Sequence, residues 1–185
     1  IVVGGTTYAL VVAPKAQGGE AGSTLPWGVA SNVPGAASTN DGASNTAAIV
    51  AAGGSSTSVA VGFCDNLNIN GYTDWHLPSA DELEICYRYL KPTTQGNDTS
   101  TASLHSATNG TNPNSDPVGS GYTTSDPART SIAIYQDGAG EAFISSYYWT
   151  STQDSDAFAW GQLFNNGSQN QDRKSQTAYV RAVRW

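Results

Sequence analysis

The amino-acid sequence predicts an α+β domain made of small twisted antiparallel sheets, two or three short helices and a long polar insertion. Three observations carry that prediction. The stretch 145–185 holds three short runs, 147–152, 157–164 and 178–185, of which the first two are rich in aromatic and β-branched residues and the third alternates apolar with basic ones. The segment 71–92 writes both the start and the stop of a helix in its local chemistry. Between these lies a tract, 93–131, of Thr, Ser, Asn, Gly and Asp with almost no apolar residue, which reads as an excursion across the surface. With 185 residues the chain is read as a single domain, 1–185, able to bury a core of its own.

In chain order, the opening IVVGG resembles the IVGG start of an activated chymotrypsin-like protease. No GDSGG-like nucleophile loop and no Ala-His-Cys segment follow, so it reads as a strand entering the fold. The run 7–14 is predicted as a strand with a continuous apolar centre, ended by Gly18, Gly19 and Gly22. A Pro-, Gly- and Ser-rich loop runs over 22–43, with Trp27 as its one bulky and buried anchor. Ser44 or Asn45 is expected to cap a helix that Gly53 and Gly54 stop. A second helix, 58–67, places Val59, Phe63 and Leu67 on one face with Cys64 beside it. Ser79 and Glu82 form a capping box, so a third helix starts at Ala80, buries Leu83, Cys86, Tyr87 and Leu90, and stops before Pro92. The run 131–136 reads as a strand, followed by an Asp137-Gly138 turn.

Charged residues make up only 12% of the chain and the net charge is −7, so neutral polar groups must coat the surface. That suits an exposed, protease-facing protein. Nucleic acid is excluded as a partner, since neutralising phosphate needs clustered cations and none cluster outside Arg173, Lys174, Arg181 and Arg184. Apolar runs such as 47–52 fall far short of the roughly 20 residues of a membrane span, so no membrane insertion is expected. Without a starting Met or a leader-like segment, the chain reads as a mature form or an excised fragment.

The motifs DGASNTAAIV, FCDNLNINGYTDWHLPSADEL, YYWTST, AWGQLFNNG and YVRAVR, in that order, resemble bacterial and phage domains of the C-type lectin fold. These include the C-terminal domains of bacterial collagen-like adhesins and display domains of phage tail fibres. The resemblance covers most of the chain from Tyr8, apart from the insertion. It extends to the variable proteins of diversity-generating retroelements, among them the major tropism determinant of phage. There, the resemblance implies, a reverse transcriptase mutates adenines of a C-terminal cassette while the scaffold stays constant. FNNGSQNQDRKS, rich in Asn, fits such a cassette, and it equally fits a plain polar hairpin loop.

Other chemistry known on this fold does not carry over. Formylglycine-generating enzymes use paired reactive cysteines and copper, whereas Cys64 and Cys86 sit on predicted apolar helix faces. The two cysteines permit one disulfide, which would contribute roughly 3 kcal/mol by closing its loop, or they are two buried thiols. No CxxC spacing exists and the chain has only two histidines, so no metal and no cofactor is expected. His76, before a capped helix, reads as packed, and His105 floats in the insertion. Asp81, Glu82 and Glu84 occupy a first helical turn, where the dipole favours negative charge. The Glu-Pro-Asn or Gln-Pro-Asp loop and Trp-Asn-Asp segment of calcium-dependent lectins are absent.

What remains is metal-independent recognition by a mosaic of aromatic and amide side chains, as in antibody binding loops. The expected ligand-binding residues are Gln153, Ser155, Phe158, Trp160, Gln162, Asn165, Asn166, Ser168, Gln169, Asn170, Gln171, Asp172 and Arg173. Trp160 and Phe164 also match scaffold positions of the family, which reads them as core. Arg181 and Arg184 read as structural ion pairs or carbonyl contacts. The sequence thus describes a binding module, not an enzyme, carried at the tip of a phage tail fibre or on a bacterial cell surface. Its expected partner is a host cell-surface protein or glycan, and a homotrimer on a fibre is expected by analogy. A bacterial adhesin domain, an oxidase relative and a trimerising cap are the other readings.

Overall fold

Glycine, serine and asparagine interrupt this chain so often that its regular elements are short, and a computed structural model describes them over residues 1–185. β1 (Val2–Val3) pairs with β2 (Thr6–Thr7) across Gly4 and Gly5, both at positive φ as a two-residue hairpin loop demands. β3 (Val11–Val12) and β4 (Leu25–Pro26) follow, then the helices α1 (Gly42–Ala51), α2 (Ala60–Asp65) and α3 (Ala80–Leu90). A small hairpin, β5 (Thr101–Ala102) and β6 (Ala107–Thr108), lies inside the insertion. The C-terminal third contributes β7 (Tyr147–Gln153), β8 (Phe158–Leu163), β9 (Gln169–Arg173), β10 (Thr177–Ala178) and β11 (Val183–Arg184).

β7, β8 and β9 form the one three-stranded antiparallel sheet, with β8 in the middle. The two ends of the chain are tied by β3 pairing with β11 and β4 with β10. Because successive strand residues point to opposite faces, β7 sends Trp149 into one apolar cluster and Tyr148 into another. The Trp149 cluster holds Trp27, Ile49, Val61, Cys64, Trp75 and Leu77 from the helical half. The Tyr148 cluster holds Leu83, Cys86 and Tyr87 of α3 with Phe143 and Phe164, whose rings stack at 4.1 Å.

Several elements differ from the sequence reading. Asp41, not Ser44 or Asn45, caps α1, its carboxylate accepting from the Ser44 amide at 2.8 Å; Asn45 is buried and ties Ser38 instead. In α2 the core-facing residues are Ala60, Val61 and Cys64, while Val59, Phe63 and Leu67 are half-buried at the flank. Of 7–14 only Val11 and Val12 are laddered beyond the entry hairpin, and Val11 stays exposed because successive residues face opposite ways and Val12 takes the side that meets the core. Residues 133–135 form a 3₁₀ turn with Ile132 and Ile134 exposed, since no neighbouring strand is there to pair with them. The polar run 165–175, read as a loop, contains β9; the final run 178–185 ladders only at its ends. Cys64 and Cys86 are free thiols in different apolar clusters, which sets the disulfide reading aside.

The α3 capping box is present: the Ser79 amide donates to Glu82 Oε2 at 2.7 Å, and the Ser79 hydroxyl accepts from the Glu82 amide at 3.4 Å. Replacing Ser79 with Ala is expected to cost about 1–2 kcal/mol in urea unfolding, without change in the slope.

Candidate functional site

The insertion 93–131 is held to the body of the protein by carboxylates that α3 buries. Asp81, Glu82 and Glu84 are excluded from solvent, so each needs donors to offset lost hydration. Asp81 accepts from Asn114 Nδ2 and bonds to His105 Nε2, both at 2.7 Å. Glu84 accepts from Arg88 Nε at 2.9 Å, Asn112 Nδ2 at 2.8 Å and the Tyr122 hydroxyl at 3.1 Å. Glu82 takes the Trp185 indole N–H at 2.6 Å. Burial raises the Glu84 pKa, against the pull of Arg88 and the hydrogen bonds. The hydrogen bond to Asp81 raises that of His105. The insertion is therefore a surface layer with a polar inner face packed on α3, and His105 is one of its anchors. Fewer apolar residues are needed there because side-chain amides and carboxylates satisfy one another.

The same layer immobilises part of the expected recognition set. Gln169 Oε1 accepts from the Gly110 amide at 3.1 Å, and the Gln169 amide donates to Asn109 Oδ1 at 2.9 Å. Gln162, in the middle strand, donates to the Tyr122 hydroxyl at 3.1 Å. Gln153 Oε1 accepts from the Val33 amide at 2.8 Å and from Lys174 Nζ at 2.7 Å, and its Nε2 donates to Asn32 Oδ1 at 2.6 Å. Trp160 is buried within β8. These four are buried and serve as scaffold: the insertion takes up Gln162 and Gln169, and Asn32, Val33 and Lys174 take up Gln153.

Asn170, Gln171, Asp172 and Arg173 form the exposed remainder, four consecutive side chains along the edge strand β9. Ser155 and Phe158 flank them half-buried, and the Arg173 guanidinium lies 5.2 Å from the Phe158 ring centre. Gln171 Nε2 donates to Asp154 Oδ1 at 2.8 Å. Asn165, Asn166 and Ser168 are half-buried in the β8–β9 turn, whose carbonyls accept from Thr93 Oγ1 at 3.0 Å and the Asp98 amide at 2.8 Å. Residues 168, 170, 172 and 174 bond toward β8, so the backbone of Gln171 points away from the sheet. Exposed Asp154 and Asp156 join Asp172 here, three carboxylates to one guanidinium; the sequence reading passed over the first two as site residues. A run of polar residues, exposed and buried alike, leaves no hydropathy signal to find them by.

The remaining chemistry is structural. No three His, Cys, Asp or Glu side chains cluster to hold a metal ion, and no helix is long and apolar enough to cross a membrane. Burial pushes the Cys64 thiol well up and the Cys86 thiol to about 12. His76 is buried edge-on to Trp185 at 5.8 Å, with Glu82 Oε2 3.4 Å from its Nε2 but outside hydrogen-bonding geometry. Arg181 is buried against Ala13 O, Glu20 and Glu141, and Arg184 makes a two-pronged pair with Asp74, both bonds at 2.7 Å.

Compared with known families, the chain matches the model described as the Lcl C-terminal domain over residues 21–184. No curated protein and no solved structure matches it.

The raised pKa of His105 has a defined sign. Its bond to Asp81 stabilises the fold fully below the unfolded histidine pKa and ceases to as pH rises through the folded value. The melting-temperature advantage of the parent over His105→Gln is expected to be full below about pH 6.5, the ordinary histidine value, and to shrink as pH rises above it. Parallel pH profiles for the two proteins would refute this.

Proposed function

Since the chain belongs to the Lcl C-terminal domain family, a family of ligand-binding, adhesin-like C-terminal domains, we propose that it recognises a host cell-surface protein or glycan through the β9 edge. The observation that carries this reading is the run of four exposed polar side chains, Asn170 to Arg173, on a strand whose backbone is paired along its length with β8. Such a surface loses little conformational freedom on binding, because its backbone is already ordered. Amide, carboxylate and guanidinium groups beside the half-exposed Phe158 offer the mixed polar and aromatic contact that protein and glycan ligands take.

Recognition in this reading needs no metal and no catalysis. The raised thiol pKa values support it, since a protonated buried thiol is a poor nucleophile. Display at the outer end of a bacterial surface protein or a phage tail fibre, as one chain of a homotrimer, belongs to the same proposal. Within the cassette-like run FNNGSQNQDRKS, Phe164, Gly167, Gln169 and Lys174 are buried, so diversification would act on the positions between them.

The test is binding of the purified domain to intact candidate host cells, with and without chelator. A variant with alanine at Asn170, Gln171, Asp172 and Arg173 is expected to keep its melting temperature and bind at least about tenfold more weakly. Gln162→Ala is expected to lower stability instead. Full binding by the folded quadruple variant would move the recognition surface off β9.

A further inference from the structure

We infer that the insertion carries a second binding site, for a sugar acid, meaning a hexose-sized ring bearing one carboxylate. A cavity of about 590 Å³ opens between Lys91, the residue that ends α3, the segment 94–96 and the loop 124–129. Lys91 is almost wholly buried, and its Nζ donates to Gln95 O at 2.5 Å, Asn97 Oδ1 at 2.6 Å and Pro127 O at 3.2 Å. All three acceptors are neutral. The ammonium charge is therefore hydrogen-bonded yet not neutralised, in surroundings that screen it less than water does.

Arg129, at the rim, is exposed and makes no hydrogen bond or ion pair within the chain. Its planar fork is free to grip a carboxylate with two parallel bonds. No carboxylate lines the cavity, and Asp126 is the one acidic residue in the loop 124–129. Two cations against that one acid match a ligand of single negative charge. A dianionic phosphate would leave one negative charge in excess once Asp126 is counted against Lys91 and Arg129. The hydroxyls of Thr94, Thr124 and Ser125 have no partner within the chain and supply donors and acceptors for ring hydroxyls. The volume exceeds what a bare carboxylate fills and falls in the range of small-molecule sites.

This site stands apart from the β9 surface, although 93–98 is hydrogen-bonded to the turn at Asn165 and Asn166. The experiment is a two-dimensional amide NMR titration of the full chain with glucuronate, glucose and glucose 6-phosphate at constant ionic strength. Glucuronate is expected to shift saturably the amides of 94–96 and 124–129, glucose to leave them unmoved, and the phosphate to bind more weakly than glucuronate. Arg129→Gln is expected to weaken glucuronate binding roughly tenfold with an unchanged melting temperature, since Arg129 has no internal partner. The quadruple β9 variant is expected to bind glucuronate as the parent does, which separates this site from the proposed receptor surface. Absence of saturable shifts, equal response to glucose, tighter binding of the phosphate, or full affinity in the folded Arg129→Gln variant would each overturn the assignment.

Discussion

Strand β7 is buried on both faces, and after Trp149 its polar groups are taken up by the 27–40 loop and the start of α3. The register with β8 shifts between Trp149 and Gln153, so the backbone groups of the intervening residues must find partners elsewhere. Thr150 O accepts from the Trp27 indole at 2.7 Å, and the Ser151 amide donates to Pro78 O at 2.7 Å. Thr152 Oγ1 accepts from the Ala80 amide at 3.0 Å and donates to Ser38 O at 2.8 Å, while the Gln153 amide reaches Ala36 O at 2.7 Å. A buried backbone group without a partner costs about as much as a lost hydrogen bond, so these links fix the 27–40 loop and the start of α3 together. Two irregular segments thereby acquire one geometry from one strand.

The same logic governs the polar layer. Burying Asp81, Glu82 and Glu84 at the start of α3 would be ruinous for isolated charges, and the insertion supplies His105, Asn112, Asn114 and Tyr122 to meet two of them. The helix dipole helps, since these side chains lie in the first turns. Polar residues thus do here what apolar side chains do around Trp149, and they do it with more directional demands. One consequence is that Gln162 and Gln169 are spent on holding the insertion, not on a ligand.

What the surface offers follows from that division. The sheet is rigid where its side chains point inward and variable in chemistry where they point out, so a change at Asn170 to Arg173 alters the exposed face without touching the core. At the end of α3, the cation left unneutralised at Lys91 has the opposite character, a fixed charge in a wall rather than a side chain in solution. The two surfaces thus differ in kind, a row of exposed polar side chains at β9 and a buried ammonium beside α3.

The sequence by itself determined the local chemistry: the capping box at Ser79 and Glu82, the amphipathic face of α3, the burial of Trp27, the α+β class and the family motifs. Each depends on residues a few positions apart, or on residue types in order. Tertiary structure decided the rest. Whether Gln169 or Asn170 faces a ligand depends on which side of β9 meets the insertion, and every residue of that run is polar. The pairing of β3 with β11, the meeting of His105 with Asp81, and the separation of Cys64 from Cys86 are long-range outcomes. They are set by which faces β7 and β8 leave available, and no spacing along the chain encodes that choice.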